Sequence, residues 1–363
     1  MTIQTSKPPV PVDAVKGLRP YALPPRPPSI DLHLDLNEGT PTTDLVMPAL
    51  ASVSPEQVRL YESPTKLEAR IAERWDLDPA RVVVTAGADQ AIDAVCRAYL
   101  QPGRRMLAHT PSFEMIPRSA TLAGGAIDEV VWTHGRFPKA EYLAAITPST
   151  SVCAVVSPNT PTGGALTREE LSEAADAAGV NGALFMADLA YAEFSVEASD
   201  YRIVRDMAER TNCVMLRTFS KAYGLAGLRV GYAIADVDVA SALRTIVGPF
   251  PVSTLATVAA GVAFDASDDL LAGMARIGNE RQELLDLLTT LGVVVNPSEA
   301  NFLLVRVSDA VALRDALGER GIAVRVWPGR EHLADAVRIA LPGNDEHFVR
   351  LRDAIAEILG GAS

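Results

Sequence analysis

Lys221 is the residue around which chemistry would centre. It sits in the run Arg217-Thr218-Phe219-Ser220-Lys221-Ala222-Tyr223-Gly224, directly after an apolar stretch, Cys213–Arg217, that reads as a strand. A lysine among small and hydroxyl residues at a strand end differs from a solvated surface lysine. Desolvation and a nearby cation lower the pKa of an ammonium group, and the neutral amine that results can attack a carbonyl carbon. Ser220 supplies a hydroxyl beside it and Arg229 a fixed cation, the parts that hold a phosphate. On these residues alone, a lysine on an exposed loop fits the segment equally well.

Three further segments place polar groups at strand ends. In Thr85-Ala86-Gly87-Ala88-Asp89-Gln90 a glycine follows the strand Arg81–Thr85 and opens a helix, so backbone N–H groups at the positive helix end could seat a phosphate. Taken alone, one glycine at such a junction is a weak signal. Asp188 follows the strand Ala183–Ala187, and by itself it reads as readily as a helix N-cap. The run Ser157-Pro158-Asn159-Thr160-Pro161-Thr162-Gly163-Gly164 is a Pro/Gly turn. The five histidines fall in no metal-ligand spacing, so no metal site is expected. Neither a Gly-x-Gly-x-x-Gly nor a Gly-x-Ser-x-Gly pattern occurs.

The block Arg217–Tyr232 closely resembles the lysine block of class I and II aminotransferases, the histidinol-phosphate aminotransferase branch in particular. The resemblance continues in register from about Pro20 over nearly the whole chain. It implies the fold of pyridoxal 5′-phosphate (PLP)-dependent transferases (fold type I), PLP as cofactor and amino transfer as the reaction. The matching lysine forms the Schiff base with PLP and then serves as general base and acid, which assigns that role to Lys221. Ser220 and Arg229, with Thr218, inherit the cofactor phosphate, as do Gly87, Ala88 and Asp89. Asp188 inherits the pyridine nitrogen, where a carboxylate keeps the ring cationic and electron-withdrawing. Tyr191 inherits the ring's phenolic oxygen and Phe113 the stacking face.

The resemblance also implies contacts for the substrate and for a second subunit. Arg338 matches the arginine that grips the donor carboxylate, and Arg325 a second anion-binding arginine. Asn37, in Asn37-Glu38, and Tyr21, in Arg19-Pro20-Tyr21, match substrate-side positions near the N-terminus. Tyr61 matches a tyrosine that crosses to a partner's cofactor phosphate, implying a homodimer. The expected substrates are a glutamate-like donor and an anionic or aromatic 2-oxo acid or phosphorylated ketone. Two departures stand out. Thr160 occupies the place of an asparagine that bonds the phenolic oxygen, a contact left either to Asn159 or to Tyr191 alone, and Leu189 replaces an acidic residue. Phe113 stands where a histidinol-phosphate enzyme often has tyrosine, which keeps an aromatic amino-acid aminotransferase in view. Thr160 and Leu189 keep a PLP-dependent decarboxylase or oxidase on the same scaffold in view.

The elements that must position these residues alternate. Strands are expected at 81–85, 106–109, 127–132, 152–156, 183–187, 213–217 and 229–234. Helices are expected from the capping-box patterns Thr65-x-x-Glu68 and Thr167-x-x-Glu170, the second closed by Gly179, and from the stripe Ala91, Ile92, Val95 and Cys96. Continuous apolar strands alternating with helices predict an α/β domain with a mostly parallel sheet, flanked by helices and holding ligands at the strands' C-terminal ends. After residue 265 a long helix, strands near 293–295, 302–307, 324–326 and 337–340, and helices at 310–320 and 348–359 predict a smaller α+β domain. The expected organisation is a Pro-rich arm over 1–30, a large domain over 31–250 whose first residues can pack with the small domain, and a small domain over 265–363.

A chain of 363 residues with 48% hydrophobic and 21% charged residues has the composition of a soluble globular protein. Its net charge of −12 argues against a nucleic-acid partner. The uncharged stretch Thr245–Phe264 is broken by Gly248-Pro249-Phe250-Pro251 and reads as a buried connection leading into a helix, so no membrane association is expected. Cys96, Cys153 and Cys213 are isolated in apolar runs, which predicts buried thiols and a reducing cytoplasm.

Overall fold

The apolar runs become the strands of one seven-stranded sheet in a computed structural model of the chain, which describes residues 9–21, 27–40, 43–195 and 201–361. Of the Pro-rich stretch 1–30, residues 1–8 and 22–26 lie outside the described residues. Across the sheet the order is Val82–Thr85, Gly231–Ala235, Cys213–Thr218, Leu184–Asp188, Thr150–Val156, Arg105–Thr110 and Ala126–Val131. Neighbours are parallel except Gly231–Ala235, which runs antiparallel to both strands beside it. Every residue of Leu184–Asp188 and Cys213–Thr218 is buried. That double-sided burial is why these strands read as unbroken apolar runs rather than as alternating ones.

Side chains alternate between two cores. Phe185, Ala187, Met215 and Phe219 face one, with Leu171, Ala174 and Ala178 of the helix Arg168–Val180. Leu184, Met186, Val214 and Leu216 face the other, with Ala91, Ile92, Val95 and Cys96 of the helix Gly87–Tyr99. All three cysteines are free and buried, and burial pushes each thiol up to about 12.

A second, antiparallel sheet has the order Arg325–Val326, Ala336–Ala340, Phe302–Arg306 and Val294–Asn296. Val326, Val337, Ile339, Leu303 and Val305 turn one face of it into a core. That core also takes in Leu284 and Leu288 of the helix Ser267–Thr290, Leu313 and Leu317 of Ala310–Glu319, and Leu351 and Ile355 of Asp345–Gly360. The short strand Leu32–His33 pairs in parallel with Ile322–Ala323, which lays residues 34–40 between the two sheets.

Several local expectations are corrected. Thr167 and Glu170 form the reciprocal capping box, but Thr65 and Glu68 do not. Glu68 instead turns inward and accepts the Val84 N–H at 3.1 Å, because its helix packs on the strand Val82–Thr85 and the carboxylate is buried there. The helix expected to close at Gly179 runs on to Val180, with Gly182 taking the positive φ of 71°. Arg229 precedes its strand in the left-handed region (φ 52°) instead of opening it. The connection at Gly248–Pro251 leaves Phe250 half exposed rather than buried. Among the described residues no helix is long and apolar enough to cross a membrane.

Candidate active site

Four parallel strands deliver their C-terminal ends to one edge of the large sheet, and the polar residues sit there. Asp188 ends its strand with 2% of its surface exposed. Burial pushes its carboxyl up to about 7; the Ala190 N–H at 3.1 Å and the Lys221 charge pull the other way, and Asp89 adds to the rise. Lys221, three residues past the end of the neighbouring strand, is half buried. Its Nζ donates to the Leu36 carbonyl at 2.8 Å and lies 5.7 Å from the centre of the Tyr191 ring. Gly39 is required beside it, since a Cβ there would fall 1.6 Å from the Lys221 carbonyl oxygen.

The phosphate-seat residues converge at one end. Gly87 opens its helix with φ 75°, and a Cβ on it would lie 2.7 Å from Arg229 Nη2. Arg229 donates from Nη1 to Ser220 Oγ at 3.4 Å and from Nη2 to the Asp89 carboxylate at 3.1 Å. The Thr218 hydroxyl donates to Ser220 Oγ at 3.0 Å and accepts the Ser220 N–H at 3.1 Å. Gly231 keeps this corner tight, because its Cβ would meet the Gly87 carbonyl carbon at 2.9 Å and the Ala88 nitrogen at 3.0 Å. The helix N-terminus, a guanidinium and two hydroxyls therefore share one corner, an anion seat on physical grounds.

Tyr191 is buried, and its hydroxyl accepts the Asn37 amide at 3.0 Å. Asn37 is held at φ 57°, and its Oδ1 is buried without a hydrogen-bond partner. Phe113 is half buried beside the core that includes Met186 and Ala154. The turn at 157–164 divides its labour. The Asn159 amide bonds the Pro111 carbonyl at 3.0 Å and Thr162 Oγ1 at 2.7 Å, so it ties two loops together and leaves its Oδ1 unpartnered. Thr160 Oγ1 accepts from Arg338 Nη1 at 2.8 Å.

Arg338 is buried, donates a second bond to the Asp35 carbonyl at 2.7 Å, and keeps an unpartnered Nε. Burial lowers its pKa and the neighbouring Arg325 lowers it further, while Tyr191, Tyr21 and Asp35 oppose that. Arg325 is its direct cross-strand partner. Tyr21 is exposed yet lies near enough to Arg338 to favour its guanidinium cation. Tyr61 stands apart. It is 83% exposed and stacked on Phe250 at 4.5 Å, and among the described residues it makes no hydrogen bond to the corner formed by Gly87, Ser220 and Arg229.

Residues to which the sequence assigned no role complete the arrangement. Glu193 and Arg217 form a buried ion pair at 2.7 Å behind Tyr191 and Lys221. Trp327 lies under both arginines of the small sheet, 5.7 Å from the Arg325 and 5.5 Å from the Arg338 guanidinium carbon. The first had a signal in two opposite charges set within apolar runs, the second in the i, i+2 spacing of Arg325 and Trp327 along one strand face.

An anion seat, a buried carboxyl ready for a cationic partner, a lysine amine and two arginines thus line one cleft. Unpartnered atoms on Asn37, Asn159 and Arg338 point to a polar occupant. That set fits a phosphorylated, nitrogen-containing ring bearing an aldehyde, which is PLP.

The sequence profile of the family described as "Aminotransferase class I and II" matches residues 34–355. The chain is 34% identical over 341 residues to a histidinol-phosphate aminotransferase of Roseiflexus castenholzii, covering 90% of this chain and 89% of that one. It is 33% identical over 290 residues to an aromatic amino acid aminotransferase of Streptomyces coelicolor, covering 79% of each. The crystal structure of a histidinol-phosphate aminotransferase from Sinorhizobium meliloti in complex with PLP superposes with a TM-score of 0.82 at 24% identity, covering 92% of each chain. The chain belongs to the class I and II aminotransferase family and is a PLP-dependent aminotransferase.

Proposed function

We propose that this enzyme passes an amino group between a glutamate-like donor and an anionic acceptor, in the manner of a histidinol-phosphate transaminase. The observation that carries this reading is the pair Arg325 and Arg338, cross-strand partners in the small sheet. One guanidinium suffices to fork a single α-carboxylate. The second gives the site a place for a further anion. The name of the Roseiflexus relative supports the same class. A second reading, an aromatic acceptor, is favoured by Phe113 and by the Streptomyces relative.

When bound, PLP supplies an electron sink for the pair left on the substrate carbon that loses its proton. Ser220, Thr218, Arg229 and the N–H groups of Gly87, Ala88 and Asp89 would hold its phosphate. The Asp89 carboxylate is occupied by Arg229, so its part is played by the backbone. Asp188 would hold a proton at the ring nitrogen, Tyr191, its hydroxyl fixed by Asn37, would meet the phenolic oxygen, and Phe113 would cover a ring face. Lys221 would hold the cofactor at its aldehyde and, once the donor amine has taken its place there, its Nζ would carry the proton as general base and acid. Arg338 grips the α-carboxylate, oriented by Thr160 and the Asp35 carbonyl, and Arg325 receives the second anion beside Tyr21.

We assign Tyr61 to the cofactor phosphate of a second copy, a homodimer supported by its exposure on its own chain. A cytoplasmic setting is supported by three buried free thiols. The test is a panel of donors and acceptors with the purified holoenzyme. Glutamate and the ketone corresponding to histidinol phosphate should yield 2-oxoglutarate and the new amine one for one. Release of carbon dioxide or peroxide without 2-oxo acid would overturn the assignment.

A further inference from the structure

The small sheet presents a row of residues in register, and the row has an unusual composition. Arg325 lies opposite Arg338, and Arg338 lies opposite Leu304. Cross-strand partners share a face, as do residues two apart, so Arg325, Arg338, Leu304 and Ala336 point to the same side, and Trp327, one residue past the strand Arg325–Val326, packs there against Leu304 and Ala336. Val326, Val337 and Ile339 point to the other, where the helices pack. The side bearing the arginines faces the cleft, since Arg338 there reaches Thr160 and Asp35.

Two like charges directly opposite on neighbouring strands repel, and burial makes the repulsion larger. Thr160 Oγ1 and the Asp35 carbonyl, which take two of the Arg338 hydrogens, are neutral acceptors that orient the fork without neutralising it. The electron-rich face common to both guanidinium groups is the Trp327 indole. The indole is itself anchored. The ring packs on Leu304, Leu333 and Ala336, and the Trp327 backbone carbonyl accepts the Arg330 N–H at 3.1 Å. Arg330 in turn forms an ion pair with Glu114, next to Phe113 in the large domain.

The geometry points to Trp327 as a specificity-determining residue. It holds Arg325 and Arg338 as a matched pair of cations, so that the site favours substrates carrying two anionic groups over those carrying one. This rests on the reading of both arginines as substrate contacts. Removing the indole loosens both guanidinium groups, so a ligand that bridges them loses two supported contacts while a ligand that uses one loses one.

The experiment compares glutarate with butyrate, neither of which can react, by titrating the holoenzyme and following its visible absorbance. With roughly half to one kcal/mol of support for each cation, Trp327→Leu should weaken glutarate about 10-fold and butyrate about 3-fold. Trp327→Phe should stay within about 2-fold of the parent for both. In parallel, Arg325→Leu should bring glutarate down to the affinity of butyrate. If Trp327→Leu weakens the two ligands alike, or neither, while Arg325→Leu brings glutarate down to the affinity of butyrate, the role of Trp327 is overturned and the anion pair stands. If Arg325→Leu leaves glutarate unchanged, the two-arginine reading falls and this inference falls with it. Should Trp327→Leu fail to fold, glutarate must still change the indole emission of the parent enzyme and not that of Trp327→Phe; no difference between them overturns the proposal.

Discussion

Asp188 is the residue whose behaviour the fold alters most. Burial raises its carboxyl to about 7 from an ordinary 3.8, so the folded protein without cofactor carries a cost. That cost is absent below pH 4, grows as pH rises through the interval and is complete above about 7, where the unfolded chain has long been ionised. A cation at the ring nitrogen would remove it. The expected outcome is that the melting-temperature gap between holoenzyme and apoenzyme widens from pH 5 to pH 8. Glu280, also raised to about 7 by burial, acts on both forms in the same direction and cancels in that comparison. In Asp188→Asn the widening should vanish while cofactor affinity falls roughly 10- to 100-fold, the worth of one charge-assisted hydrogen bond. Lys221→Ala gives a different signature. It should retain non-covalent cofactor, lose the visible absorbance of the lysine-bound form, and drop turnover by roughly 10² to 10⁴ or more. Lys221, Ser220 and Arg229 stand out in the sequence because a strand end concentrates hydroxyl and cationic groups there. The partners Leu36 and Gly39 do not, because contacts across about 180 residues leave no local pattern.

At the scale of elements, the strands were legible because burial on both faces writes itself as uninterrupted Val, Ile, Ala and Met. The box at Thr65 misled because Glu68 meets the same spacing rule while tertiary packing draws it inward to Val84. The Glu193–Arg217 pair shows what spacing cannot reveal. Parallel pairing of the strands Leu184–Asp188 and Cys213–Thr218 ends at Asp188 opposite Leu216. Beyond that point the two segments lead to Tyr191 and Lys221, and the buried ion pair links them. Burial opposes the charge on Arg217, but Glu193, Tyr232 and Tyr223 together more than offset it and raise the guanidinium's pKa. Glu193→Ala should therefore cost about 3–5 kcal/mol in denaturant unfolding, because it strands a buried cation. The double change Glu193→Leu with Arg217→Met should recover most of that stability, since buried pairs replaced by apolar side chains are often neutral. Turnover should stay depressed in the double variant if the pair sets the distance between Tyr191 and Lys221. Recovery of both together would make the pair purely structural.

For the whole molecule, the question is what covers the exposed apolar groove made by the helix Pro55–Arg59, Tyr61 and the segment Phe250–Leu255. Tyr61 and Phe250 stack face to face with their planes 16° apart, in a molecule whose net charge of −12 otherwise keeps copies apart. An aromatic pair exposed in this way would gain from burial, and in the proposed homodimer a second copy of the chain would supply a matching groove by symmetry. Two variants separate the apolar contribution of this groove from its polar one. Phe250→Glu places a charge in the centre of the surface and should shift sedimentation from dimer to monomer at micromolar concentration, with turnover lost in proportion. Tyr61→Phe keeps the ring and removes only the hydroxyl, so the dimer should persist while cofactor affinity falls about 10-fold, the scale of one hydrogen bond to an anion. A Phe250→Glu monomer that kept full turnover and cofactor affinity would mean that each active site is complete within one chain. Tyr61 would then serve only to cover Phe250.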